Sequence, residues 1–272
     1  MDRVGLIAGR GLLPAIWAEA AREKGCRVYA FPLLEAADCS LEGIAEQVAP
    51  LSIGELNALV NKLLELKLRR VVMIGKVAKS LIFKDIQLDS RMEGLLNRLE
   101  LLNDDSILLG LVEELNSEGI EVIKQSTFIE DLFPESGILA GNRPDEQLFS
   151  DIYFGFKMAR EIGRLDIGQT VIVKKRSVLA VEAIEGTDPA IRRAGELAGP
   201  GVVVAKVSKP QQDWRFDIPT VGLDTLANMI EIKARALVIE AGKTFLLEKE
   251  SLLKKAEEEG ITIIALKNDK FE

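Results

Sequence analysis

The sequence predicts an α/β fold, and three observations carry that expectation. Short apolar runs such as Arg3 to Ala8, Cys26 to Phe31 and Arg70 to Ile74 have strand length, and they alternate with longer segments of helical periodicity. Glycines punctuate the handover from strand to helix, at Gly9-Arg10-Gly11 and again at Gly75-Lys76. The 272 residues are 47% hydrophobic, enough for a sizeable core and, by length, for roughly two domains of about 100 to 200 residues each.

Composition removes several functions at once. With 35 Lys and Arg against 43 Asp and Glu the net charge is −8, so no general attraction to nucleic acid is expected. There is no histidine, which excludes Ser-His-Asp and Cys-His nucleophilic machinery, a histidine general base and imidazole-rich metal centres. Carboxylate chemistry remains, in which Asp and Glu oxygens hold a hard cation such as Mg²⁺ and help activate water. Cys26 and Cys39 show no Cys-x-x-Cys spacing and fit core thiols of a reduced protein. Glycines and Arg10 interrupt the first apolar run before a signal-peptide core forms, and no apolar segment reaches the roughly 18 residues needed to span a bilayer. A cytoplasmic protein is expected, with any membrane contact peripheral.

In chain order, Arg3 to Ala8, the glycine turn, a helix over Ala15 to Lys24 ending at Gly25, and Cys26 to Phe31 form a βαβ unit. Gly9 and Gly11 either let a phosphate or sugar approach the helix N-terminus or simply make a tight turn; Pro14 replaces the third glycine of a dinucleotide fingerprint. Ser52 and Glu55 have capping-box spacing before a leucine-rich helix to about Leu68. From Asp89 to Leu102 the residues Met92, Leu95, Leu96, Leu99 and Leu102 share one helical face, more often core than an acyl-chain lining. Asp104 and Asp105, in Asn103-Asp104-Asp105-Ser106, either cap the helix Ile107 to Leu115 or offer carboxylates to a site, and Ile120 to Ile123 is the next strand. The Pro- and Gly-rich stretch Phe133 to Pro144 reads as a linker, with a domain boundary near residue 140.

Beyond it, Asp145 to Ile162 is an amphipathic helix, and Gln169 to Lys174 and Val178 to Glu182 are strands joined by the basic turn Lys174 to Ser177. The segment Glu182-Ala-Ile-Glu185-Gly-Thr187-Asp188 then places three acids at a strand end, where an unpaired Glu182 would be costly. Ser208 to Thr225, between an apolar run and a helix, holds Asp213, Arg215 and Asp217 with Lys206 and Lys209 just upstream. Charges concentrated where a strand hands over to a helix suit a phosphate or metal site, although a solvated capping turn accounts for either Asp singly. A helix to about Ala234, strands Ala236 to Glu240 and Ile261 to Leu266, and a helix over Glu250 to Glu259 complete the chain.

Five stretches together resemble one known family. They are Gly5 to Pro14, Val71 to Val77, Asn103 to Ser106, Ala180 to Asp188 and Lys206 to Gly222, and they span essentially the whole chain. The sequence is similar to the LpxI-type UDP-2,3-diacylglucosamine pyrophosphatases of lipid A biosynthesis. The resemblance implies a Rossmann-like N-terminal parallel-sheet domain over 1–140, a smaller C-terminal α/β catalytic domain over 141–272, and a lipid-linked sugar nucleotide between them. It further implies Mg²⁺-dependent hydrolysis to UMP and 2,3-diacylglucosamine 1-phosphate. Asp217, in Phe-Asp-Ile-Pro-Thr, carries over as essential, with Asp213 as a second catalytic candidate. Glu182, Asp188 and Asp213 join Asp217 as candidate metal ligands, and Gly9, Arg10, Gly11, Lys76, Thr187, Lys206, Lys209, Arg215 and Thr220 are the candidate substrate contacts. A homodimer and peripheral contact with the cytoplasmic face of an inner membrane are compatible with this reading. The alternatives are a non-catalytic nucleotide-sugar or lipid-binding module and a sugar-nucleotide transferase.

Overall fold

The computed structural model describes residues 2–36, 40–77, 86–100 and 104–267, and divides the chain into two compact units. Cys39, Leu102, Asn103 and the side chain of Asp104, all named above as candidates, lie outside the described residues. The first unit takes residues 1–130 together with Trp214–Phe216, and the second takes 131–213 and 217–272. The division falls ahead of residue 140, and the C-terminal unit is not the smaller one. The reason is that the Pro- and Gly-rich stretch is not a bare linker: Gly137–Ala140 is a strand paired within the second unit.

In the first unit the elements are β1 (Arg3–Ala8), α1 (Leu13–Glu23), β2 (Arg27–Pro32), β3 (Gln47–Val48), α2 (Leu56–Glu65), β4 (Arg70–Ile74), α3 (Ser90–Arg98), α4 (Asp104–Ser117) and β5 (Glu121–Val122). The five strands form one parallel sheet in the order β3-β2-β1-β4-β5, a doubly wound arrangement whose direction of winding reverses between β1 and β4. Ile7, Phe31 and Met73 lie in register across β1, β2 and β4 and point into one buried cluster. Leu56, Val60 and Leu63 of α2, Leu95 of α3, Leu115 of α4 and Phe216 complete that cluster. On α1, Trp17, Ala18 and Ala21 are buried, and this helix packs on β1 and β2. Trp17 meets the edge of Phe128 at 5.3 Å between centroids.

One helix start and one helix end differ from the expected ones. Glu55 accepts from the Ser52 amide at 2.7 Å, as half of a capping box would, yet α2 begins only at Leu56 because the Ser52 hydroxyl is bonded to Glu35. Asp89 caps α3 by accepting from Arg91 N and Met92 N, and its other oxygen accepts from Asn57 N at 2.6 Å, so one carboxylate holds the starts of two helices. Leu99, expected on the helix, is already extended.

The second unit contains β6 (Gly137–Ala140), α5 (Glu146–Arg164), β7 (Thr170–Lys174), β8 (Ser177–Val181), α6 (Thr187–Ala198), β9 (Val203–Lys206), β10 (Thr220–Val221), α7 (Leu223–Glu231), β11 (Ala236–Glu240), β12 (Phe245–Leu246), α8 (Lys249–Glu258) and β13 (Thr262–Leu266). Six strands form a mixed sheet, β6-β13-β11-β9-β7-β8, with β13, β11 and β9 parallel and β6, β7 and β8 each antiparallel to the neighbour inward of it. Its strands read as near-continuous apolar runs because both faces are covered. Val171, Val173, Val203, Ala205 and Val238 pack under Leu148, Ile152, Phe156 and Ala159 of α5. Ile172, Val204, Leu237 and Ile263 pack under Ile191 and Ala194 of α6, Leu226 and Met229 of α7 and Leu252 of α8. Among the described residues no helix is long and apolar enough to cross a membrane.

The basic turn between β7 and β8 has both Lys175 and Arg176 at positive φ, 49° and 56°, as the tightest hairpin turn requires. Neither is glycine, so something must hold them there. Asp151, buried on α5, accepts from the amides of both residues at 2.8 and 2.7 Å. Asp151→Ala leaves two amides without their charged acceptor and is expected to destabilise the second unit by about 2 to 3 kcal/mol, read as a lower urea midpoint. A change below about 0.5 kcal/mol, the size of an ordinary surface substitution, would show that the turn holds itself.

Candidate active site

Several of the charged residues expected at the site come from one end of the six-stranded sheet. There β8, β9 and β11 end and β7, running the opposite way, begins, which is where open α/β sheets bind ligands. Two hydrogen-bonded chains lie side by side. In the first, Lys206 Nζ at the end of β9 donates to Thr187 Oγ1 at 2.8 Å, and that hydroxyl donates to Glu182 Oε1 at 2.8 Å. In the second, Gln169 Nε2 donates to Asp217 Oδ2 at 2.7 Å, and Lys209 Nζ stands 3.8 Å from the same oxygen and 2.6 Å from Asp166 Oδ1. Gln169 and Thr170 are consecutive, and Thr170 Oγ1 lies 3.5 Å from Thr187 Oγ1, so β7 joins the two chains.

Local sequence explains why these groups sit there. Gly186, at φ +86°, turns the chain from β8 into α6 and leaves the helix start without a capping side chain, so Thr187 is available to Lys206 and Glu182. Asp217 occupies the left-handed region at φ +55°, which Asp tolerates better than most residues, and its side chain is half exposed. The loop that carries it is pinned at its start: buried Glu240 accepts from the amide and hydroxyl of Ser208 at 3.2 and 2.7 Å and pairs with Lys243 at 2.7 Å.

The remaining candidates are placed differently. Glu185 is committed to its own turn, where its own amide, that of Ala183 and the Arg193 guanidinium 3.0 Å away hold its carboxyl below the usual carboxylate range. Thr220 donates to Ile218 O at 3.0 Å, a local turn bond. Asp213 is half-buried, and its carbonyl accepts from the Gln212 amide at 3.4 Å. Gly9, Arg10, Gly11, Lys76 and Arg215 belong to the first unit. There Arg10 and Lys76 exchange backbone hydrogen bonds at 2.8 and 2.9 Å across the carboxyl ends of β1 and β4. That contact requires glycine at position 9, since a Cβ would come within 2.7 Å of Lys76 O. Gly11, at φ +98°, faces open space.

The four carboxylates expected to ligate a metal do not form one group: among the described residues no three acidic or thiol side chains converge. Glu182 Oε2 and Asp188 Oδ1 are buried carboxylate oxygens with no donor, the kind of ligand a hard cation takes. Mg²⁺ in particular keeps several waters and is held by one or two carboxylates plus substrate phosphates, so it needs no ready-made cage.

Asp166, Gln169, Ser208 and Glu240 were not among the expected site residues. Gln169 and Glu240 left a trace, each a polar residue at the end of an apolar run. Their partners, 48 and 32 positions away, left none.

Comparison with known proteins bears on this arrangement. Sequence models of the LpxI N-terminal and C-terminal domains match residues 3–132 and 135–264. A protein of Caulobacter vibrioides named UDP-2,3-diacylglucosamine pyrophosphatase LpxI is 31% identical over 98% of this chain and 98% of its own. Among solved structures, glycinamide-RNase-transformylase T from Mycobacterium tuberculosis is 15% identical with a TM-score of 0.27, covering 67% of this chain and 44% of that one. The biotin carboxylase subunit of pyruvate carboxylase is 11% identical, also at 0.27, covering 68% and 39%. Likeness that slight carries no argument about the site. The two domain matches and the full-length relative do: the chain belongs to the LpxI family.

Proposed function

We propose that this protein hydrolyses the pyrophosphate bond of UDP-2,3-diacylglucosamine with Mg²⁺, releasing UMP and 2,3-diacylglucosamine 1-phosphate. The observation that carries the reading is the match over 98% of both chains to a relative bearing that activity in its name. The site chemistry agrees with it. Cleavage between two phosphates requires a water to be oriented and the charge of the departing phosphate to be neutralised. Bound Mg²⁺ supplies Lewis-acid stabilisation of that charge, and Asp217, Glu182 and Asp188 are the carboxylates that would hold it.

The chain's own groups account for the rest. Lys206 and Lys209 bring two positive charges to the strand ends where phosphates would lie, and each is held by hydrogen-bonded oxygens. Thr187 sets the height of Lys206 by accepting from it, and Glu182 keeps the hydroxyl turned that way. Asp217, half exposed on its loop, is the carboxylate able to accept a proton from an attacking water. The absence of histidine is no obstacle to this chemistry.

Incubation of the purified protein with UDP-2,3-diacylglucosamine, read by mass spectrometry, is expected to show UMP and the diacylglucosamine 1-phosphate in equal amounts. EDTA is expected to abolish the release and added Mg²⁺ to restore it. Binding without release would identify a nucleotide-sugar binding module instead, and release undiminished by EDTA would remove the cation from the reading.

A further inference from the structure

We propose that Gln169 is a positioning residue for Asp217, a role that rests on the function proposed above. Gln169 is 8% exposed, and its backbone carbonyl accepts from Val207 N at 3.0 Å, just past the end of β9. The next carbonyl, of Thr170, accepts from Glu182 N at 2.9 Å. Gly168 lies so close to Glu182 that a Cβ there would collide with the Glu182 carbonyl oxygen. Gln169 is therefore fixed by the sheet on both sides. Asp217 is set otherwise, on a stretch without helix or strand, at positive φ, with half of its side chain in solvent. The 2.7 Å bond from Nε2 to Oδ2 thus runs from a rigid element to a carboxylate on a loop.

Chemistry settles the orientation of the amide. A carboxylate only accepts, so the nitrogen faces Asp217 and Oε1 is left buried without a donor. Such an orphan acceptor is costly in a core, and leucine or methionine would fill the same volume without it. The donor presented to Asp217 is the compensating gain. With Oδ2 held by Gln169, the carboxylate keeps a constant direction. Lys209, 3.8 Å from the same oxygen and paired more closely with Asp166, adds charge but not direction.

The test compares wild type with Gln169→Met, which keeps the volume and loses the donor, and Gln169→Asn, which keeps an amide one carbon too short to reach. Both are expected to lower kcat about 10- to 100-fold, the scale of an ångström-sized misplacement, with KM changed less than about twofold. The melting temperature of Gln169→Met is expected to stay within about 2 °C, since the half-exposed Asp217 regains water. By NMR, the Gln169 side-chain amide protons are expected to be protected from exchange in wild type and to lose that protection in Asp217→Ala. Full kcat in either folded variant, or unprotected amide protons in wild type, would overturn the positioning role while leaving the proposed reaction standing. A lowered melting temperature with kcat unchanged per folded molecule would also overturn it. Wild type without turnover would instead remove the reaction, and this role with it.

Discussion

Asp217→Asn is expected to lower kcat for UMP release by at least about 100-fold, the low end for groups that act by acid-base or electrostatic catalysis. Asn has the shape of Asp and tolerates the left-handed backbone that position 217 adopts at φ +55°, so the loop should keep its course. What disappears is the charge that faces Lys209 and accepts from Gln169. Substrate affinity should change far less than the rate, because the carboxylate acts on the reacting water or cation more than on the bound substrate. Steady-state kinetics on the purified variant, with a melting curve beside it, decides the matter. A variant retaining more than about a tenth of the wild-type rate would show that Asp217 is not central.

Gly75→Ala is expected to be strongly destabilising to the first unit. A Cβ there would lie 2.7 Å from Gly9 C and 2.9 Å from Gly9 Cα and N, all backbone atoms that cannot swing aside. Overpacking of this kind costs about 1 to 3 kcal/mol, and the backbone at φ +101° adds about 1 to 2 kcal/mol more. Gly11→Ala is the matched control, at φ +98° with nothing within 4 Å, so the difference between the two isolates the close packing. Both tryptophans, Trp17 and Trp214, belong to the first unit, and their fluorescence therefore follows its unfolding in urea alone. Equal midpoints for the two variants would mean that β1 and β4 can part at their ends without cost.

How much of this was legible in the sequence depends on the range of the interaction. The strands β1, β4 and β11 follow from local periodicity, and they stand where the sequence put them. Lys206, Thr187 and Glu182 could be nominated together because charged groups near strand ends have few other uses, and the structure links them. Gly137–Ala140 was hidden because glycine and proline speak against a strand, whereas pairing with β13 supplies stability from far along the chain. Ser52 misled for a similar reason, since its hydroxyl answers to Glu35, outside the motif. In sequence Gly9 reads as a ligand turn or a tight turn, and Gly75 only as a second glycine at a strand end. Only the juxtaposition of β1 and β4 shows that each glycine exists for the other.

The place of Phe216 in the first unit's buried cluster has a consequence for how the protein is made. A ribosome releases residues 1–130 well before residue 216, and at about 5 to 20 residues per second the interval is roughly 4 to 17 seconds. During that time the cluster of Leu56, Leu63, Leu95 and their neighbours lacks one of its aromatic members, which leaves apolar surface open to chaperones and to other chains. Synthesis of the N-terminal half does not finish it; the last piece of its interior arrives from within the half that follows.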